Sequence, residues 1–150
     1  MTAGTLRPAQ QGDLDALLGL QRTYYLEDGY SFVESEAREA WSTLLSDSEL
    51  GRVWVIETDS DAVGYLVVTL GYSLEYRGLD AFIDELFVLS RQRGRGLGTA
   101  ALAVAEESCR EIGVRALHLE VERDKLAAQT TYRKWGFADH RRYLVTKLLV

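Results

Sequence analysis

The sequence predicts a mixed α/β fold, and three observations carry that reading. Apolar runs of strand character alternate with segments whose apolar residues recur at helical spacing. A glycine-dense turn, Arg93-Gly94-Arg95-Gly96-Leu97-Gly98-Thr99, joins one such strand, Ala81 to Leu89, to an alanine-rich helical pattern over 99–112. The chain has 150 residues and is 47% hydrophobic, which suits one globular domain covering 1–150.

The elements follow in order. Leu6 to Ala9 reads as a short first strand, and Gly12-Asp13 as a helix start with Asp13 as N-cap and Leu14, Leu17, Leu18 and Leu20 as the apolar face. Glu34 to Leu45 is a second helix, with Ala37, Ala40, Trp41, Leu44 and Leu45 at helical spacing. Residues 52–57, a turn at Asp59-Ser60-Asp61, and residues 62–70 read as an antiparallel hairpin. A strand over 80–89, a helix over 99–112, a strand over 115–122 and a helix over about 125–135 make a β-α-β-α core. A last strand, Arg142 to Leu149, is expected to close the sheet.

The turn between strand and helix carries the chemistry. Glycines let backbone N–H groups approach an anion, a helix start adds its positive dipole end, and Arg91, Arg93 and Arg95 add charge. Two phosphate-binding patterns are excluded. No Lys-Ser/Thr follows the glycines, as a P-loop requires. The residue three after Gly96 is Thr99 rather than the glycine of a dinucleotide fingerprint, and the turn comes after residue 90 rather than at the first βα connection.

The pattern present is Arg/Gln-x-x-Gly-x-Gly/Ala, met by Arg93, Gly96 and Gly98 after Leu86-Phe87-Val88. It resembles the acetyl-CoA signature of the GNAT superfamily of N-acetyltransferases. Tyr132-Arg133-Lys134-Trp135-Gly136-Phe137 is similar to the late Tyr-x-x-x-Gly-Phe of that family, and the strand-like Ala116 to Val121 lies between the two motifs as it does there. The order and spacing agree from about residue 50 to the end. The resemblance implies a mixed, mostly antiparallel sheet of about 6–7 strands flanked by about 4 helices, with acetyl-CoA bound where the fourth and fifth strands splay. It also implies that backbone groups of Leu86 and Val88 pair with the pantetheine arm, that the Val88 N–H donates to the thioester carbonyl, and that Arg93, Gly94, Arg95, Gly96, Gly98 and Thr99 hold the pyrophosphate. Tyr132 is the expected proton donor to the departing thiolate. Ala128 matches the family four residues before this tyrosine, whereas Lys125 stands where the family often has asparagine.

The acceptor amine must lose a proton, since an ammonium of pKa ~10 is only about 0.1% neutral at pH 7. Asp84 and Glu85 are carboxylates inside an apolar strand, a costly place unless they face a pocket. Period-two alternation puts them on opposite faces, with Asp84 sharing the face of Leu86 and Val88, and a bulge would shift that register. Acidic residues at this strand position in polyamine-acetylating relatives resemble this pair; both stay candidates, with Glu85 favoured. Glu75 and Tyr76 are candidates for lining the acceptor site.

Other residues read more plainly. His118 is a hydrogen-bonded or solvated sheet histidine, His140 a surface one, and no spacing suggests a metal. The single cysteine, Cys109, is not a nucleophile, because direct attack by the amine needs no covalent enzyme intermediate. Residues 1–90 hold 5 Lys/Arg and 16 Asp/Glu, a balance of −11; residues 91–150 hold 12 and 7, or +5. A basic half suits coenzyme A and an acidic half a cationic amine, and the net charge of −6 argues against nucleic acid as a partner. No apolar run approaches the ~18 residues of a membrane span, and residues 1–7 have no signal-peptide core, so a cytoplasmic protein is expected. The expected activity is acetyl transfer to a small primary amine: a polyamine, an amino sugar, an aminoglycoside or an amino acid derivative. A protein lysine or N-terminus is the second choice of acceptor, a non-catalytic acyl-CoA sensor is the rival class, and a homodimer is compatible with each.

Overall fold

The structure, a computed structural model, describes residues 4–150; Met1 to Ala3, and with them the start of the N-terminal reading, lie outside the described residues. The chain forms two compact units, Met1–Leu119 and Glu120–Val150.

The first unit is built on a sheet in the order β1-β2-β3-β4-β5, formed by Thr5–Pro8, Gly51–Thr58, Asp61–Ser73, Gly78–Val88 and Ala116–Leu119. Each neighbouring pair is antiparallel except β4 and β5, which run parallel because helix α3, Leu97–Glu111, crosses over between them. Alternation gives the sheet two apolar faces. Val53, Val55, Tyr65, Val67 and Phe87 pack against Leu17, Leu18 and Leu20 of α1, Leu14–Asp28, and Trp41 of α2, Glu34–Ser46. Ile56, Leu66 and Val68, of the opposite parity, are buried too, and α3 supplies buried Leu97, Ala101, Leu102, Ala105 and Cys109. On α1 and α3 apolar residues at helical spacing bury one stripe, as expected from the sequence, whereas on α2 Trp41 is buried and Ala40 of the expected set is exposed.

Asp13 departs from its expected role. Its carboxylate does not cap α1; it accepts the Gln10 N–H at 2.7 Å, inside the 3-10 turn Gln11–Asp13, and takes both terminal nitrogens of Arg7 at 2.8 and 2.9 Å. Arg7 Nε also reaches Glu57 at 2.9 Å, so the pair ties β1 to β2 and to the start of α1.

In the second unit the expected helix is present as α4, Leu126–Lys134. Its end explains the Tyr-x-x-x-Gly-Phe spacing. Gly136 sits at φ 92, the Gly136 N–H bonds Arg133 O at 3.0 Å, and the Phe137 N–H bonds Tyr132 O at 3.1 Å. This is a Schellman stop, and its usual apolar contact is the Phe137 ring edge-on to Tyr132 at 6.1 Å.

Two strand expectations are corrected. The fifth strand is shorter than expected, because pairing with β4 ends at Ile83 opposite Leu119. Residues 142–149 form no strand; Tyr143, Leu144, Val145, Leu148 and Leu149 are exposed, and the sheet has five strands rather than 6–7. An apolar, β-branched run shows the capacity to pair, but a strand exists only where a partner's N–H and C=O groups meet it.

Candidate active site

Glu85 lies near the end of β4. Opposite this stretch the register with β3 shifts: Ile83 faces Val68 and Glu85 faces Val67, which leaves Asp84 as the extra, unpaired residue of a β-bulge. The bulge decides between the two carboxylates. It turns Glu85 to the face of Val67, Tyr65 and Phe87, beneath α1, and leaves Asp84 exposed. Uniform alternation, which put Asp84 with Leu86 and Val88, does not hold across this point.

Glu85 is half-buried and doubly bonded. The Tyr65 phenol donates to one carboxylate oxygen at 2.6 Å, and the Tyr25 phenol of α1 donates to the other. Burial raises the Glu85 carboxyl above the usual range; the Tyr25 and Tyr65 hydrogen bonds pull it partly back, and nearby Asp84 adds to the rise. Both phenols are themselves pushed upward, by burial first and then by the carboxylate, so they remain donors at any ordinary pH.

The edge beside Glu85 is open. The Leu89 N–H bonds Val63 O at 2.8 Å, so alternate residues Phe87 and Glu85 also turn their backbone groups to β3. Leu86 and Val88 therefore present theirs to the opposite edge, where among the described residues no strand pairs with β4 beyond Ile83. Their side chains have plain packing roles, Val88 buried and Leu86 half-buried.

Beyond Val88 the chain makes a 3-10 turn, Ser90–Gln92, and reaches α3 through Gly94 and Gly96 at φ 78 and 82, a region that favours glycine. Gly96 is the N-cap of α3 and has no side chain to offer the helix, so the start of α3, with Gly98 and Thr99 in its first turn, has no side-chain cap. Arg95 is exposed there. Arg93 is turned back to the protein: Nε donates to Val88 O at 2.9 Å, Nη2 pairs with Glu27 at 2.9 Å, and the guanidinium lies over the Phe87 ring. Arg93 thus links the turn to β4 and to the end of α1.

Tyr132 stands on α4 in the second unit, half-buried, its hydroxyl raised by burial and so protonated near neutrality. Lys125 is the N-cap of α4, and Gln129 there donates to Glu122 O and Arg123 O, each at 3.0 Å. Glu75 and Tyr76 are not near Glu85 along the hairpin; they form the turn before β4, where the Tyr76 ring packs on His118 at 5.1 Å. His118 bonds Asp80 at 3.2 Å.

A family model described as the acetyltransferase (GNAT) family matches residues 14–137. The chain belongs to the GNAT acetyltransferase family. An uncharacterized N-acetyltransferase of Methanocaldococcus jannaschii is 31% identical to this GNAT chain over 139 residues, 90% of the chain but 61% of the relative's length. Among solved structures, an integron cassette protein from the mobile metagenome of Cole Harbour Salt Marsh matches at TM-score 0.87 and 38% identity, over 97% of this chain and 90% of that one. A predicted acetyltransferase of Clostridium acetobutylicum, solved with acetyl-CoA, matches at TM-score 0.82 and 18% identity, over 98% and 97%, a likeness of fold.

The sequence did not show the partners of Glu85. Tyr65 lies in the run read as the second hairpin strand, and Tyr25 follows the apolar face read for the first helix. The one available signal was polarity out of place: a tyrosine in the apolar run 63–70, which needs a partner for its hydroxyl when buried.

Proposed function

We propose that this protein transfers the acetyl group of acetyl-CoA to a primary amine of a small molecule, with residues 1–150 acting as one domain. The observation that carries the reading is the half-buried Glu85 carboxylate held by two phenols, beside a β4 edge where no strand pairs with the Leu86 backbone or the Val88 N–H. The family membership supplies the reaction class.

In this reading the open edge pairs with the pantetheine arm, and the turn from Arg93 to Thr99, with Arg95 and the uncapped N–H groups of α3, holds the pyrophosphate. Glu85 takes a proton from the acceptor ammonium. The freed amine forms the new C–N bond as the C–S bond breaks, and the further N–H proton it sheds as the amide forms replaces the one that Tyr132 gives up. The Val88 N–H donates to the thioester oxygen as charge develops there, and Tyr132 gives its proton to the departing thiolate. The acidic balance of residues 1–90 favours a cationic acceptor.

Calorimetric titration with acetyl-CoA, followed by a panel of small amines and mixed peptides, tests the reading. Micromolar binding and turnover of small amines are expected. Acetylation of peptides alone would move the acceptor to protein, and absence of acetyl-CoA binding up to millimolar would sink the proposal.

A further inference from the structure

We propose that Tyr25 is a positioning residue for Glu85: together with Tyr65 it fixes both carboxylate oxygens and keeps the group ionised and aimed. This rests on Glu85 being the base that accepts the amine's proton. The geometry is built for it. Tyr25 is three residues before the end of α1, which stops with Gly29 at φ 74 and with the Tyr30 N–H on Tyr25 O at 2.9 Å. That stop places Tyr30 against Tyr25, ring centroids 5.5 Å apart, while Tyr24 at 5.3 Å and Phe32 at 6.0 Å hold the ring edge-on from other sides. A ring fixed by three aromatic neighbours has little freedom left, so its hydroxyl has one place to go, and Glu85 is there. From α2, Trp41 Nε1 donates to Gln21 Oε1 at 2.8 Å, orienting an amide whose other end serves Tyr25 and Glu85.

The physical consequence has a sign. Burial favours the neutral acid, and phenol hydrogen bonds to the charged form oppose it. The titratable groups facing Glu85 are Tyr25 and, through Tyr25, Tyr24 from α1, Tyr65 from β3 and Asp84 on β4 itself; Trp41 of α2 acts through Gln21. With an acidic neighbour and no cation among these groups, the two phenols, with the Gln21 amide, hold the charge.

Tyr25→Phe keeps every ring contact and removes one donor. The Glu85 carboxyl, followed by carbon-13 NMR and assigned by its loss in Glu85→Gln, is expected to titrate about 1–2 pH units higher in Tyr25→Phe. The acidic limb of kcat/KM against pH should move up by the same amount. A purely structural tyrosine would lower the plateau and leave both where they were, and an unmoved Glu85 titration overturns the proposal whatever the activity does. A titration that moves while the limb stays supports the hold on Glu85 and refutes Glu85 as the base, which separates the two readings. Tyr65→Phe provides the second variant, with a shift in the same direction.

Discussion

Glu85 stands half-buried beside the core residues Ile83, Phe87 and Val88, and a carboxylate taken from water costs free energy unless it is hydrogen-bonded. Two phenols supply those bonds and oppose the rise in pKa that burial causes. Glu85→Gln is expected to lower kcat by about 10²–10⁴-fold with acetyl-CoA affinity unchanged, measured by steady-state kinetics and calorimetry. Because the carboxyl is held above its usual range, kcat/KM should fall on acidification at a higher pH than an exposed glutamate would produce, as the protonated form cannot accept the amine's proton. At this scale the sequence singled out Asp84 and Glu85, since two charges in an apolar strand are conspicuous. The choice between them was not legible: one extra residue at the bulge inverts the alternation, and nothing in Ile83-Asp84-Glu85 marks that slip.

Helix starts carry two further tests. Gly98 lies in the first turn of α3, away from positive φ, and a Cβ added there would meet nothing within 4 Å. Asp is favourable in a first helical turn by about 0.3–1 kcal/mol. Gly98→Asp should therefore hold or raise the melting temperature while cutting acetyl-CoA affinity at least tenfold through charge repulsion; full affinity would refute the assignment of this turn to pyrophosphate. Asp13 behaves differently. Arg7 lowers its carboxyl pKa, so the stability it contributes is present above the unfolded carboxylate pKa and is lost as pH falls through the folded one. Asp13→Asn should lose about 1–2 kcal/mol near neutrality and show a flatter acid decline in denaturant melts. The helical spans were legible because Leu14, Leu17 and Leu18 or Ala101, Leu102 and Ala105 recur at the helical period. The role of Asp13 was not, since its partner Arg7 belongs to another element.

Tyr132, the proposed proton donor, lies in the second unit, on α4. Tyr132→Phe should lower kcat and leave acetyl-CoA affinity nearly intact; an undiminished kcat would reduce Tyr132 to the packing partner that its Schellman contact with Phe137 already makes it. The sequence by itself determined the α/β class, most element spans, the Gly94–Gly98 turn and the Tyr132–Phe137 stop, because each depends on neighbours within a few residues and on the backbone freedom of glycine. Only the tertiary structure decided which carboxylate faces α1, that Tyr25 and Tyr65 hold it, that Arg93 pairs with Glu27, and that residues 142–149 make no ladder. Those outcomes join residues up to 66 positions apart. Periodicity records which side of its own element a residue faces; the groups waiting on that side are set by how the elements pack.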